Sequence, residues 1–149
     1  MMYHNPVLLN ESISGLNINP SGIYVDVTYG GGGHSKEILK NLNSNGKLIA
    51  FDQDQDAIEN KSNDSRLNLV KSNFKYLNNF LNYFQIEEID GLLADFGISS
   101  HQIDNKNRGF STRFNSELDM RMNSTQKIDA KIIINDYDKD QLEYIFKNF

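Results

Sequence analysis

Cysteine is absent from the chain. Disulfides, thiolate metal sites and cysteine nucleophiles are therefore excluded, and a reducing compartment suits the sequence. Long apolar runs are missing as well. Nothing approaches the roughly 18 residues of a membrane span, and Met1 to Glu11 lacks the basic start and apolar stretch of a secretory leader. A soluble, cytoplasmic protein is expected. Positive charge is scarce: 15 Lys and Arg stand against 20 Asp and Glu, a net charge of −5. This argues against a protein that holds nucleic acid mainly by bulk electrostatics, but not against an enzyme that reads a shaped RNA through a local cluster of Lys and Arg.

What is present suffices for one ordinary domain: 149 residues, 38 % hydrophobic and 23 % charged, on the polar side for a folded chain. Polar runs such as Asn41-Leu42-Asn43-Ser44-Asn45 look like compositional bias and carry no function here.

Four short, nearly continuous apolar runs read as strands covered on both faces: Ile23–Val27, Lys47–Asp52, Leu67–Lys71 and Ile89–Asp95. Crossover helices are predicted over His34–Leu42, Asp54–Lys61 and Phe74–Phe84, the last with Leu77, Phe80, Leu81 and Phe84 at helical spacing. The alternation predicts a doubly wound α/β sheet with right-handed crossovers. From Gly97 to Asn123 no period is sustained. A helical pattern returns from Asp129, and Asp138 is a good N-cap for a last helix. The expected boundary lies near Asn105, with sheet over 1–105 and a loop and the beginning of a helical segment over 106–149. The chain stops at Phe149 inside that helical pattern, which suggests the front part of a longer protein.

The strongest local feature is Asp26-Val27-Thr28-Tyr29-Gly30-Gly31-Gly32-Gly33-His34-Ser35, directly after the first strand. Glycines there allow close backbone approach to a ligand and positive φ, and the following helix start offers N–H groups. The dinucleotide fingerprint fails in both frames: Gly30-x-Gly32 meets Ser35 in the last position, and Gly31-x-Gly33 meets Lys36. The phosphate-binding P-loop fails too, because no Gly-Lys-Ser/Thr follows. A glycine turn preceded by Asp26 suits a cofactor with a cationic amino-acid end. Asp52, at the end of the second strand, is placed to bind both hydroxyls of a ribose or to cap the next helix, a role open to Asp54 as well. Phe74 could lie on an adenine ring or anchor the third helix.

Asp95, in Asp95-Phe96-Gly97-Ile98-Ser99-Ser100, ends the fourth strand. An exocyclic amine on a pyrimidine is a poor nucleophile because its lone pair is delocalised into the ring. A carboxylate that accepts its N–H favours pyramidal nitrogen and fixes it for attack; the alternative is a turn-former or cap. Ser99, Ser100 and Gln102 read as loop groups facing cofactor or target. His34 fits packing or hydrogen bonding to the cofactor better than general-base work, since a helix start disfavours its protonated form. His4, His34 and His101 are too scattered to imply a metal. The stretches Asn107–Ser111, with Arg108 and Phe110, and Glu117–Met122, with Arg121, mix Arg with apolar residues. They could order over the site and meet RNA phosphate or a flipped base; alternatively, Phe110, Leu118 and Met120 pin a long loop to the core.

In order along the chain, several motifs resemble the bacterial 16S ribosomal RNA cytosine-N4-methyltransferase family. They are His4–Glu11, the Asp26–Ser35 loop, Phe51-Asp52-Gln53-Asp54, Asp95–Gln102, Arg108–Ser111 and Leu118–Met122. The resemblance implies a class I, Rossmann-like methyltransferase sheet, truncated here, with the start of a helical substrate-recognition insertion after the fourth strand. It also implies S-adenosyl-L-methionine as cofactor, held by positions matching Gly32, Gly33, His34, Asp52, Phe74, Asp95 and Gln102, and no metal; Asp26 and Gly30 of the glycine loop are expected to bind the cofactor as well. The implied partner is 16S rRNA in the small ribosomal subunit, methylated at a decoding-region cytosine. The oligomeric state is left open, a dimer of the full-length protein included. His101 departs from a frequent proline. The chain alone is expected to bind cofactor weakly or fold marginally, without turnover.

Competing readings are a non-catalytic S-adenosylmethionine-binding or assembly module, indifferent to Asp95, and a methyltransferase of small-molecule or protein amines, indifferent to Arg108 and Arg121. The failed fingerprint disfavours a nicotinamide oxidoreductase.

Overall fold

The computed structural model describes residues 6–149, so His4 and Asn5 of the first motif lie outside the described residues. Two compact units divide the chain between Gly97 and Ile98. The division falls ahead of the boundary expected near Asn105, because a short helix with its own cap already begins there.

The first unit starts with helix α1 (Leu9–Leu16), which the sequence reading did not anticipate. Strand β1 (Ile23–Asp26), helix α2 (Gly33–Asn41), strand β2 (Lys47–Asp52), the short helix α3 (Gln55–Glu59) and strand β3 (Leu67–Lys71) follow. A 3₁₀ turn (Phe74–Tyr76), helix α4 (Leu77–Tyr83) and strand β4 (Gly91–Leu93) complete it. The second and third strands have the bounds expected from sequence. The fourth is shorter than Ile89–Asp95, so Asp95 sits in the loop after the strand, and the expected Phe74–Phe84 helix begins as a 3₁₀ turn.

All four strands are parallel, in the order β3-β2-β1-β4. Side chains alternate between faces along each strand. Tyr24, Leu48, Ala50, Leu67 and Leu93 therefore join Ile38 and Leu39 of α2 and Ala57 of α3 in one core layer. Val25, Ile49, Phe51 and Val70 join Leu77, Phe80 and Leu81 of α4 in the other. The physical reason lies in the crossovers. Those through α2 and α3 run in one direction along the sheet and cover the same face. The crossover through α4 returns across the sheet and covers the opposite one. Phe51, fully buried, meets Phe80 edge to face at 5.6 Å, and its truncation to alanine would cost about 3–5 kcal/mol.

The strand order reverses at β1, where β2 pairs on one side and β4 on the other. Loops leaving the carboxyl ends of parallel strands diverge at such a point and open a crevice. Asp26 is the last residue of β1 and pairs across to Ala50 and Leu93, so the glycine loop begins at that crevice.

The second unit contains α5 (Ser100–Asp104), a 3₁₀ turn (Lys106–Arg108), α6 (Ala130–Asp136) and α7 (Lys139–Asn148). Ser99 and Gln102 form a reciprocal capping box on α5, and Asp138 and Gln141 form another on α7. Asp138 is thus the cap expected of it, and Asp129 caps α6. Among the described residues no helix is long and apolar enough to cross a membrane.

Candidate active site

The loop from Asp26 to Ser35 is built around a buried carboxylate. Asp26 is fully buried. Its Oδ1 accepts from the Thr28 N–H at 3.0 Å and lies 3.3 Å from the Thr28 hydroxyl, while its Oδ2 accepts from the Ser35 hydroxyl at 2.6 Å. Burial raises its pKa above the usual carboxylate value, against the hydrogen bonds from Ser35 and Thr28. Asp26 therefore clamps both ends of the glycine loop. Any influence on a ligand runs through the loop it shapes.

Gly30 and Gly32 have φ values of +50° and +73°, a region that costs a side-chain-bearing residue about 1–2 kcal/mol. At Gly32 space adds to the demand: a Cβ would lie 2.8 Å from the Tyr29 hydroxyl oxygen. Tyr29 is buried beneath the loop, donates to the Asn60 carbonyl at 3.1 Å and accepts from the Ser62 N–H at 3.2 Å. The turn is thus rigidly backed and presents backbone rather than side chains.

Asp52 leaves the end of β2 next to this turn. Its Oδ2 accepts from the Gly30 N–H at 2.8 Å and its Oδ1 from the Asp54 N–H at 2.9 Å. Burial raises its pKa, opposed by those amides and by the Gln53 N–H. The cap of α3 is Asp54, which accepts from the Asp56 N–H at 3.2 Å. A carboxylate offers about four lone-pair directions, more than these amides use, so a pair of ribose hydroxyls fits the remaining capacity.

Asp95 stands on the other side of the reversal, exposed at its side chain. Its N–H donates to the Thr28 hydroxyl at 2.8 Å, and its Oδ2 lies 3.9 Å from His34 Nδ1. The His34 ring is buried, with Nε2 3.1 Å from the Val7 carbonyl. That oxygen can only accept, so Nε2 carries a hydrogen. His34 is thereby held by the segment before α1 rather than poised as a base. Phe74 is 41 % exposed and packs on Phe96, ring centroids 5.6 Å apart. Anchoring of α4 falls instead to Leu77, Phe80, Leu81 and Phe84, which removes the core-anchor alternative for Phe74.

The first unit thus gathers Asp26, Gly30, Gly32, Gly33, His34, Asp52, Phe74 and Asp95 around the carboxyl ends of β1, β2, β3 and β4. Thr28, Ser35 and Tyr29 were missed as organising residues. Their only sequence signal was membership of the loop itself.

In the second unit Gln102 is buried; beyond its capping role, its Nε2 lies 3.5 Å from Met122 Sδ. Ser99 is the α5 cap and Ser100 its first residue. Arg108 is buried and donates to the carbonyls of Arg121 and Met122 at 2.9 and 3.3 Å, with Phe110 6.0 Å from its guanidinium. Arg121 grips Asp119, holding that carboxylate below its usual pKa, and donates to the Gln126 carbonyl at 2.5 Å. Leu118 and Met120, two of the apolar residues expected to pin this loop, are 39 % and 45 % exposed; the loop is held instead by the polar contacts of Arg108 and Arg121.

The whole chain, residues 1–149, matches the MraW methylase family. The chain belongs to that family. A ribosomal RNA small subunit methyltransferase H from Christiangramia forsetii is 59 % identical over 146 residues, 98 % of this chain and 48 % of the relative. The protein of the same name from Flavobacterium johnsoniae is 53 % identical over 149 residues, 100 % of this chain and 49 % of its own length. That from Phocaeicola vulgatus is 56 % identical over 145 residues, 97 % of this chain and 48 % of the relative. This MraW-family chain therefore spans about half the length of the curated relatives it matches. Its parallel sheet agrees with the Rossmann-like methyltransferase fold expected from sequence.

Proposed function

We propose that this chain supplies the cofactor half of an S-adenosylmethionine-dependent methyltransferase whose target is the exocyclic N4 amine of a cytidine in the decoding region of 16S ribosomal RNA. The observation that carries the proposal is the placement of Asp52 and Asp95 on opposite sides of the glycine loop at the sheet's reversal point. Family membership and the name of the relatives supply the reaction class and the substrate class.

The residues fit the cofactor. Asp52 accepts the ribose hydroxyls, the backbone from Gly30 to Gly33 lies along the amino-acid end, and Phe74 offers an exposed ring face to adenine. When bound, S-adenosylmethionine supplies an electrophilic methyl on a sulfonium. Asp95 accepts a hydrogen bond from the cytidine amine and turns its nitrogen lone pair toward that methyl, a gain in proximity and orientation. The amine proton is released to Asp95 or to water. Within the second unit, Gln102 is assigned to the cofactor, and Ser99, Ser100, Arg108, Phe110 and Arg121 to the RNA. The setting is the cytoplasm and the partner the small ribosomal subunit. Oligomeric state is outside the proposal, and no metal is invoked.

Calorimetric titration with S-adenosylmethionine and, separately, with NADH tests the cofactor assignment. Binding of the first alone, lost in Asp52→Ala, is expected; a folded chain that prefers NADH would overturn it. Transfer of labelled methyl by the full-length protein to purified small subunits, with digestion to nucleosides, tests the target. Label on any product other than N4-methylcytidine would refute that part.

A further inference from the structure

Among the residues left without a role by the proposed reaction, Thr28 is distinguished by geometry. Its hydroxyl oxygen accepts the Asp95 N–H at 2.8 Å, across 67 residues of sequence. The Asp95 amide can only donate, so the hydroxyl hydrogen must go elsewhere, and the acceptor beside it is Asp26 Oδ1 at 3.3 Å. The same carboxylate oxygen receives the Thr28 N–H at 3.0 Å, and its partner oxygen receives the Ser35 hydroxyl. A chain of hydrogen bonds therefore runs from the first turn of α2 through a fully buried carboxylate to the backbone of Asp95.

We infer that Thr28 is a positioning residue, which fixes the backbone of Asp95 to the glycine loop so that the acceptor carboxylate is registered against whatever that loop binds. The inference rests on the methyltransferase reading above. Asp95 needs such a tie. The β4 strand ends at Leu93, the side chain of Asp95 is 49 % exposed, and Gly97 follows with a φ of +150°. Besides the Thr28 bond, the contact at this residue that links the two loops among the described residues is the side-chain approach to His34, at 3.9 Å. An error of about 1 Å in the position of a reacting group can cost roughly a hundredfold in rate.

The test replaces the hydroxyl by a methyl in Thr28→Val, with Thr28→Ser as the variant that keeps the hydroxyl. Amide hydrogen exchange is read at Asp95, S-adenosylmethionine affinity by calorimetry, and methyl transfer by the full-length protein to small subunits as kcat and KM. In Thr28→Val, exchange at Asp95 should quicken by about tenfold or more. Cofactor affinity should stay within about threefold, and kcat should fall by about tenfold or more at unchanged KM. Thr28→Ser should restore all three. If Thr28→Val does not fold, Thr28→Ala carries the same readouts.

Unchanged protection at Asp95 overturns the inference, as does full kcat despite lost protection, or failure of Thr28→Ser to restore either. A full-length wild-type protein that transfers no methyl to RNA would defeat the functional reading. The exchange data would then decide the inference alone, retained protection in Thr28→Val overturning it.

Discussion

Asp52 is tied to Gly30 by a hydrogen bond of 2.8 Å from the loop N–H to the carboxylate, so the end of β2 and the glycine turn form one rigid edge. Through this contact the carboxylate is oriented by the loop before any ligand arrives. Pre-orientation of this kind lowers the cost of binding, because less side-chain freedom is lost on association.

Asp52→Ala should accordingly weaken S-adenosylmethionine binding by about a hundredfold, the loss of charge-assisted bonds of about 1.5–3 kcal/mol. Asp52→Asn should weaken it less, since an amide keeps one acceptor. Calorimetry on folded variants reads both, and equal affinity in wild type and Asp52→Ala would remove the ribose assignment.

Gly32→Ala should be destabilising by roughly 1–3 kcal/mol, because the new side chain meets both an unfavourable φ and the Tyr29 hydroxyl. Gly30→Ala carries the φ penalty alone: its Cβ would find no atom nearer than 3.9 Å. Urea unfolding should rank Gly32→Ala as the less stable of the two, and a reversed order would show that the loop relaxes.

Asp95→Asn should separate binding from chemistry. The amide keeps an acceptor for the amine and the backbone bond to Thr28, so cofactor affinity should change by only about threefold while kcat drops by about tenfold or more. Full turnover in this variant would favour a module in which Asp95 has no chemical role.

Asp26 makes a prediction about pH. Its folded pKa is raised by burial, so the native state holds a proton more tightly than the unfolded chain. The contribution of this group to stability is then greatest below the ordinary value of 3.8 and declines as pH rises through the folded value. Asp26→Asn removes that term. The stability of Asp26→Asn relative to wild type should rise as pH increases from the ordinary value of 3.8 through the raised folded value, whatever the offset from altered hydrogen bonds. Asp64, held near 2 by Arg66, acts at the acid end and cancels in the comparison. A difference independent of pH would mean that Asp26 is not perturbed as described.

Much of the site was legible before the structure because its signals are local. The glycine run after a four-residue strand, the acidic residue ending β2 and the capping residue Asp138 each depend on neighbours within a few positions. So do the bounds of β2 and β3, which follow from unbroken apolar runs between polar stretches. Helix α1 escaped notice, since its sequence has little apolar character beyond Leu9, Ile13 and Leu16, and its caps, Leu8 and Asn17, make no side-chain capping bond. Helix α5 was hidden in a polar loop despite the capping pair Ser99 and Gln102.

The sequence by itself determined the kind of chain this is: alternating strands and helices, a backbone-lined turn after β1, carboxylates at the ends of β2 and β4, and the motifs of its family. Only the tertiary structure decided what those carboxylates do. Sheet order put β1 between β2 and β4. That brought Thr28 against the Asp95 amide and the Gly30 amide against Asp52. It also buried Asp26 among its hydroxyl partners, while local folding of the second unit turned Arg108 inward onto the carbonyls of Arg121 and Met122. The physical reason is range. Propensity and periodicity act over a few residues, whereas hydrogen-bond partners and burial of a polar group are set by which distant segments pack together.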